Sequence, residues 1–276
     1  HMRDIPAFRA LLRAVEAHFY AGTSVAPALP LDRPALDLGC GDGHFASVTF
    51  DEPLDAGFDP WWAPLTEARG RDAYHTLAQA EGARMPYPDH YFATVISNSV
   101  LEHIPRLSPV LAETARVLKP GGVFYFCVPG PDFLSMLSIG QALDRVGLVS
   151  IAAAYRRFFN RIARHYHCDG VQVWERRLTD VGLALERWWP YFGQRAMIAL
   201  EWGHYLGLPA LVSKKLTGRW ILWPSRANLC LTERLMRPLY ETEVEKISVS
   251  VGCSVSAGCS VSAGACLFFV ARKLGS

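Results

Sequence analysis

No CxxC pair occurs among the seven cysteines, Cys40, Cys127, Cys168, Cys230, Cys253, Cys259 and Cys266. A zinc-ribbon pattern and a thioredoxin-type redox motif are therefore both missing, and an odd count of unpatterned thiols reads as reduced side chains in a cytoplasmic protein. No uncharged apolar run reaches the roughly 18 residues that a membrane-spanning helix needs. The N-terminal run RDIPAFRALLRAVEAHFY carries Arg9, Arg13 and Glu16 within its apolar face, which argues against a signal peptide. Net charge is small as well, 28 Lys and Arg against 26 Asp and Glu. That balance disfavours a protein held to nucleic acid by bulk phosphate neutralisation, so no nucleic-acid partner is expected.

What is present is an apolar chain, 50% hydrophobic over 276 residues, long enough for one large α/β domain carrying an insertion. Charge is unevenly spread. Between Pro131 and Tyr240 there are fifteen basic against eight acidic residues, and the remainder of the chain is acidic. Strand and helix signals alternate through the first half, the pattern of a parallel sheet with crossover helices. PALDLG, DAGFD, ATVISNS and the near-continuously apolar GGVFYFCVP read as strands, and SPVLAETARVLK as a helix with Val110, Leu111, Thr114, Val117 and Leu118 on one face. Lys119-Pro120-Gly121-Gly122 ends that helix. LALERWWPYF, within 183–192, is a candidate for a strand that returns to the sheet, and CLFFVARK reads as the last one. Ahead of it runs a six-residue repeat, SVSVGC, SVSAGC, SVSAGA, from Ser248 to Ala265. Three units without a bulky recurring residue fit an extended Ser/Gly-rich connection better than a β-helix.

The stretch ALDLGCGDGHF places three glycines within five residues directly after a strand. Such a loop brings backbone N–H groups and a helix N-terminus to one sheet edge, where a ligand can approach the main chain. Asp59 lies twenty residues after Gly39, about the spacing at which an acidic residue on the next strand grips ribose hydroxyls. His44 stands where a dinucleotide fingerprint needs its third glycine, so a pyrophosphate is disfavoured.

Several ordered segments then share one likeness. Asp37-Leu38-Gly39-Cys40-Gly41-Asp42-Gly43 resembles motif I of the class I S-adenosylmethionine-dependent methyltransferases, in a small-molecule, type 11-like branch. GFDP resembles their acidic second motif. EGARMPYPDHYFATVISNSVLEHI resembles their D-A-x-x-L-P-F-x-D-x-x-F-D-x-V segment with its following x-L-E-H, and RVLKPGGVFYFCVP their helix end and fifth strand. The likeness covers about residues 35–129. Two positions depart from it: Gly82 follows Glu81 where Ala is common, and Ala93 stands where the pattern has an acid.

The resemblance implies an α/β, Rossmann-like sheet, mostly parallel with an antiparallel last strand, carrying helical cap insertions. It also implies S-adenosyl-L-methionine as cofactor, with S-adenosyl-L-homocysteine as product. By the same resemblance Asp37, Gly39, Cys40 and Gly41 hold the methionine and ribose part, Asp59 and Pro60 the ribose, Glu81 and Gly82 the adenine, and Asn98 lies beside the sulfonium. Domains are expected at 3–130 for the cofactor-binding core, 131–245 for a basic, aromatic-rich cap, and 246–276 for the repeat and the final strand.

Methyl transfer by in-line displacement needs alignment and water exclusion rather than a nucleophilic residue. An oxygen acceptor can need a base, for which His18, His44, His103, His165, His167 and His204 are available. His103, in VLEHI, reads as a cap or packing residue. His165, Tyr166 and His167, in RHYHCDG, fall in the insertion after the fifth strand, where this fold keeps its acceptor-binding residues, and are the catalytic candidates. No second ligand cluster matches their spacing, so no metal is expected.

The run IAAAYRRFFNRIAR sets Ile151, Tyr155, Phe158 and Ile162 on one stripe and Arg157, Arg161 and Arg164 on another. It fits a lid over the acceptor or a peripheral contact, through 151–164, with an anionic membrane. Six of the eight tryptophans lie between Val173 and Trp223, which suggests either an aromatic-lined acceptor cavity or plain core packing. The expected activity is methyl transfer to an apolar or amphipathic small molecule such as a lipid, isoprenoid, quinone-like ring or other natural product. A protein or nucleic-acid methyltransferase and a non-catalytic nucleoside-binding protein are the alternatives.

Overall fold

The computed structural model describes residues 5–21, 29–217, 226–251 and 263–275. In chain order its elements are α1 (Ala7–Ala21), β1 (Ala35–Leu38), α2 (His44–Thr49), β2 (Leu54–Asp59), α3 (Trp62–Arg69), β3 (Tyr74–Gln79), β4 (Phe92–Asn98), α4 (Ser108–Val117) and β5 (Leu118–Pro129). There follow α5 (Ser138–Arg145), α6 (Val149–Ala163), α7 (Val171–Thr179), β6 (Leu183–Tyr191), α8 (Gln194–Leu206), α9 (Leu208–Thr217), α10 (Arg226–Val251) and β7 (Cys266–Lys273).

The strands form one sheet in the order β3-β2-β1-β4-β5-β7-β6. The pairings of β1 with β2 and β4, of β2 with β3, and of β4 with β5 are parallel. Among the described strands only β7 runs antiparallel, wedged between β5 and β6. This is the mostly parallel Rossmann-like sheet with an antiparallel last strand. The order reverses between β1 and β4, the place where an open α/β sheet leaves a crevice at its strand ends.

Local chemistry explains the elements. β1 is buried at all four positions and β5 from Gly122's neighbour Val123 to Pro129, so both read as apolar runs covered on two faces. Pro109 in the first turn starts α4, where its missing N–H costs nothing, and the helix ends at Val117 because Leu118 is already extended, so that Lys119-Pro120-Gly121-Gly122 falls within β5 rather than at the helix end. β3 is the exception. Its sequence YHTLAQ is polar and half-exposed because it is an edge strand, and it has no apolar signature to announce it.

Two apolar layers cover the sheet. One joins Leu11, Val15 and Phe19 of α1 to Tyr125, Trp189 and Phe268; the other joins Val110 and Leu111 of α4 to Phe126, Trp174 and Phe269. Trp174 is fully buried against Phe126 and Phe269, and Trp189 stacks on Phe268, so these tryptophans pack the core. Trp202 is exposed on α8, while Trp220 and Trp223 lie outside the described residues. The six-residue repeat is divided: 248–251 close α10, 252–262 lie outside the described residues, and 263–265 lead into β7.

Glu201 of α8 fixes the cap helices. Its buried carboxylate accepts from Ser138 N and Ser138 Oγ, each at 2.6 Å, from Ile139 N at 3.2 Å and from the Tyr155 hydroxyl at 2.5 Å. One side chain thereby caps α5 and ties α6 to α8.

Candidate functional site

Strand β1 delivers the glycine loop to the carboxyl edge of the sheet. Gly39 N and Cys40 N both donate to the Phe58 carbonyl at 3.0 Å, which turns the chain sharply across the end of β2. Gly39 has φ +76, and a Cβ there would lie 2.5 Å from Val100 Cγ1, so both backbone angle and space require glycine. Gly41 differs. It also has a positive φ, +54, but a Cβ on it would meet nothing within 4 Å, so the loop borders open space that a ligand could fill.

Two carboxylates belong to this loop and its neighbouring strand. Asp59, at the end of β2 and only 8% exposed, accepts from Gly41 N at 3.1 Å and Trp61 N at 2.9 Å. Two of its roughly four lone-pair positions are thus taken by backbone and two remain. Burial raises its pKa, opposed by those two N–H groups. Asp37 is buried, accepts from the Tyr74 hydroxyl at 2.6 Å, and is pushed up to about 6 by desolvation. Pro60 follows Asp59 and presents its carbonyl to Gln79 Nε2 at 3.1 Å. Cys40 is buried, and burial pushes its thiol far above the ordinary range, so it is inert.

Glu81 is exposed and Gly82 half-buried just beyond β3, at the same edge. The following segment is clamped by Arg116 of α4, which donates to the Met85 and Tyr87 carbonyls and to Asp89 Oδ1 at 2.6 Å. Asn98 ends β4. Its Nδ2 donates to Glu16 at 2.6 Å, and it accepts from Cys127 Sγ at 3.1 Å. The cofactor candidates therefore line successive strand ends on one edge, which is the placement a nucleoside ligand requires.

Beyond Asn98 opens a cavity of about 170 Å³. Phe8, Leu12, Phe133, Phe159 and Leu200 supply its apolar wall, and Glu16, Glu102, His103, His165 and His204 its polar one. No described tryptophan lines it, so the aromatic surface comes from phenylalanines instead. Of the three catalytic candidates, only His165 reaches this cavity. Tyr166 is 63% exposed, and His167 turns to the Ile104 carbonyl at 3.0 Å and to Asp169 at 3.4 Å. Burial holds His165 down at about 4, hence neutral at pH 7.

Sequence reasoning missed part of this wall. Glu16 is fully buried and accepts from Asn98, from Ser99 Oγ at 3.0 Å and from Tyr191 OH at 2.8 Å, so α1 is locked over the end of β4. A carboxylate within the apolar face of α1 was its only signal. Glu102 is buried, and desolvation pushes it up to about 8. His103 lines the cavity while its Nδ1 meets the Arg164 carbonyl at 3.1 Å.

Residues 36–126 match the family described as methyltransferase domain. Over 106 residues the chain is 31% identical to a malonyl-[acyl-carrier protein] O-methyltransferase of Legionella pneumophila, a stretch covering 36% of this chain and 37% of that protein. Over 98 residues it is 35% identical to a ubiquinone biosynthesis O-methyltransferase of Photobacterium profundum, covering 33% and 41%. The chain thus matches about two fifths of the length of these curated relatives. The fold is shared with phosphoethanolamine N-methyltransferase 2 of Haemonchus contortus, solved with S-adenosyl-L-methionine, at TM-score 0.54 and 14% identity over 98% of this chain and 54% of that one. The family match over residues 36–126, this strand order and this glycine loop together support a class I S-adenosylmethionine-dependent methyltransferase.

Proposed function

We propose that the protein transfers the methyl group of S-adenosylmethionine to an apolar or amphipathic small molecule held in the cavity between α1, α6 and α8, and that it does so in the cytoplasm. The observation that carries this reading is the position of that cavity: it opens at the ends of β4 and β5, next to Asn98, and its wall is part apolar and part polar. The likeness to proteins named as O-methyltransferases of malonyl-acyl carrier protein and of ubiquinone biosynthesis supports an oxygen acceptor attached to a lipid-like body.

The cofactor, when bound, supplies a methyl group already activated on sulfonium sulfur, and the acceptor's lone pair forms the new bond as the carbon–sulfur bond breaks. Asp37, Gly39, Cys40 and Gly41 would hold the methionine and ribose part, Asp59 and Pro60 the ribose, Glu81 and Gly82 the adenine. Asn98 would stand beside the reacting carbon. Alignment and exclusion of water are what the chain itself contributes. Glu16 ties α1 directly to Asn98 and Ser99, so the helix that covers the cavity is in register with the strand end where the methyl arrives. His165 is the catalytic candidate retained at the acceptor.

A peripheral membrane contact belongs to the same proposal. On α6, Phe159 is buried and lines the cavity, while Ile151, Phe158 and Ile162 on the outer side are 53%, 50% and 44% exposed. Arg157 and Arg161 are exposed beside them. Such a surface fits an anionic lipid interface from which an amphipathic acceptor could enter. Among the described residues no helix is long and apolar enough to cross a membrane. The cofactor core at 3–130 and the cap at 131–245 are the working division, with β6 returning from the cap to the sheet.

Calorimetry with S-adenosylhomocysteine and NAD, followed by labelled methyl transfer to phenols, fatty acids, acyl-carrier thioesters and isoprenoid alcohols, tests the proposal. S-adenosylhomocysteine should bind and at least one amphipathic acceptor should be labelled. Tight NAD binding, or labelling of peptide or RNA alone, overturns it.

A further inference from the structure

We infer that Glu102, His103 and His165 form a divalent-cation site facing the acceptor cavity. One ligand atom from each lies within 4.8 Å of the other two. A cation bound at about 2.0–2.2 Å by nitrogen and carboxylate oxygen needs its ligands some 3–3.5 Å apart. Glu102 Oε1 and His103 Nε2, at 3.8 Å, are already close to that spacing. Small side-chain rotations close the remainder.

A second observation points the same way. The Glu102 side chain is 3% exposed, yet its Oε2 has no hydrogen-bond partner. A carboxyl oxygen out of water and without a partner is costly, and a cation would satisfy it. Ser99 Oγ, which also lines the cavity, donates to Glu16 instead.

The His103 imidazole is also held as a ligand is held. A carbonyl oxygen can only accept, so the contact between His103 Nδ1 and the Arg164 carbonyl at 3.1 Å places the proton on Nδ1 and leaves the Nε2 lone pair toward Glu102. A backbone acceptor behind a ligating histidine is the usual support for this geometry. Tyr166 N donates to the Glu102 carbonyl at 2.7 Å, so the main chain itself fastens the segment of His165 to the segment of Glu102. All three side chains line the cavity, which leaves the remaining coordination position open to it.

Two imidazole nitrogens and one carboxylate oxygen suit zinc, cobalt or manganese better than calcium or magnesium. Arg9 and Arg13 border the same cavity, so the affinity must come from the nitrogen donors more than from a negative field. Within the methyl-transfer reading, a cation there would hold an acceptor's hydroxyl or carboxylate oxygen beside Asn98 and favour its ionised form. Binding of the cation itself does not depend on that reading.

The test uses the full chain, dialysed against a chelator and titrated with Co²⁺, and with Zn²⁺ in competition with a chromophoric chelator. One cation per chain is expected, with ligand-field absorption in the cobalt form. Glu102→Gln and His165→Asn should each weaken binding by about tenfold or more, whereas His167→Ala should leave it unchanged. Should Glu102→Gln not fold, as judged by its thermal transition, the half-exposed His165→Asn carries the test. Substoichiometric binding of both cations, or one affinity across all variants, overturns the site. Neither result depends on methyl transfer, and failure to label any acceptor would leave the cation measurement standing.

Discussion

Removing the Asp59 carboxylate should weaken cofactor binding by a calculable amount. The ligand-free carboxylate accepts two backbone N–H groups, from Gly41 and Trp61, which orient it and leave about two lone-pair positions for a ribose diol. Each charge-assisted hydrogen bond is worth about 1.5–3 kcal/mol, but in the Ala variant water recovers part of this at the opened edge. The net loss is therefore about 1.5–3 kcal/mol for the pair, or roughly 10- to 150-fold in Kd. Because Asp59→Ala also frees the Gly41 N–H, the ligand-free melting temperature is measured alongside, so that loosening of the loop is separated from loss of the diol contact. Calorimetry with S-adenosylhomocysteine reads the affinity. A Kd within twofold of wild type, in a variant with unchanged melting temperature, would show that this carboxylate does not hold the ribose.

Asp37 titrates near 6 in the fold against 3.8 unfolded, chiefly through burial. Between those values the folded state holds the extra proton, so the contribution of Asp37 to stability is greatest below about pH 4 and falls as pH rises to about 6. Thermal melts of Asp37→Asn should lack that fall, and parallel profiles for the two proteins would refute it. Glu201→Ala strips the acceptor from Ser138, Ile139 and Tyr155 and should cost about 2–4 kcal/mol in urea unfolding; a loss under 0.5 kcal/mol contradicts the cap assignment. His165→Ala should lower turnover about a hundredfold with S-adenosylhomocysteine affinity intact, while His167→Ala, which faces Ile104 and Asp169, should stay within a few-fold. Phe158→Ser with Ile162→Ser should abolish sedimentation with anionic vesicles while leaving the melting temperature within about 2 °C, since both side chains are exposed. Equal sedimentation of wild type and variant would remove the membrane contact.

Most of the sheet could be read from residue order because its strands are either uniformly apolar, as in GGVFYFCVP, or end in a marked loop, as in ALDLGCGDG. β3 could not, since an edge strand half open to solvent keeps Tyr74, His75, Thr76 and Gln79 without an apolar pattern. The stripe Ile151, Tyr155, Phe158, Ile162 illustrates a different difficulty. Periodicity finds a face but not its direction, and here most of that face looks outward while Phe159 faces in. The same ambiguity surrounds RHYHCDG: three adjacent side chains share a composition, but only His165 turns to the cavity because Arg164 adopts a left-handed backbone at the end of α6.

The cofactor edge was written in the sequence, because each of its motifs is a strand end and the loop that follows it, contiguous along the chain. The acceptor side was not. Glu16 from α1, Glu102 and His103 after β4, His165 after α6 and His204 on α8 converge on one cavity only when the sheet and its cap close. Burial then removes water from their side chains, leaving Glu102 with an unpartnered oxygen and His165 neutral. Long-range packing decides such environments, and no spacing along the chain encodes them.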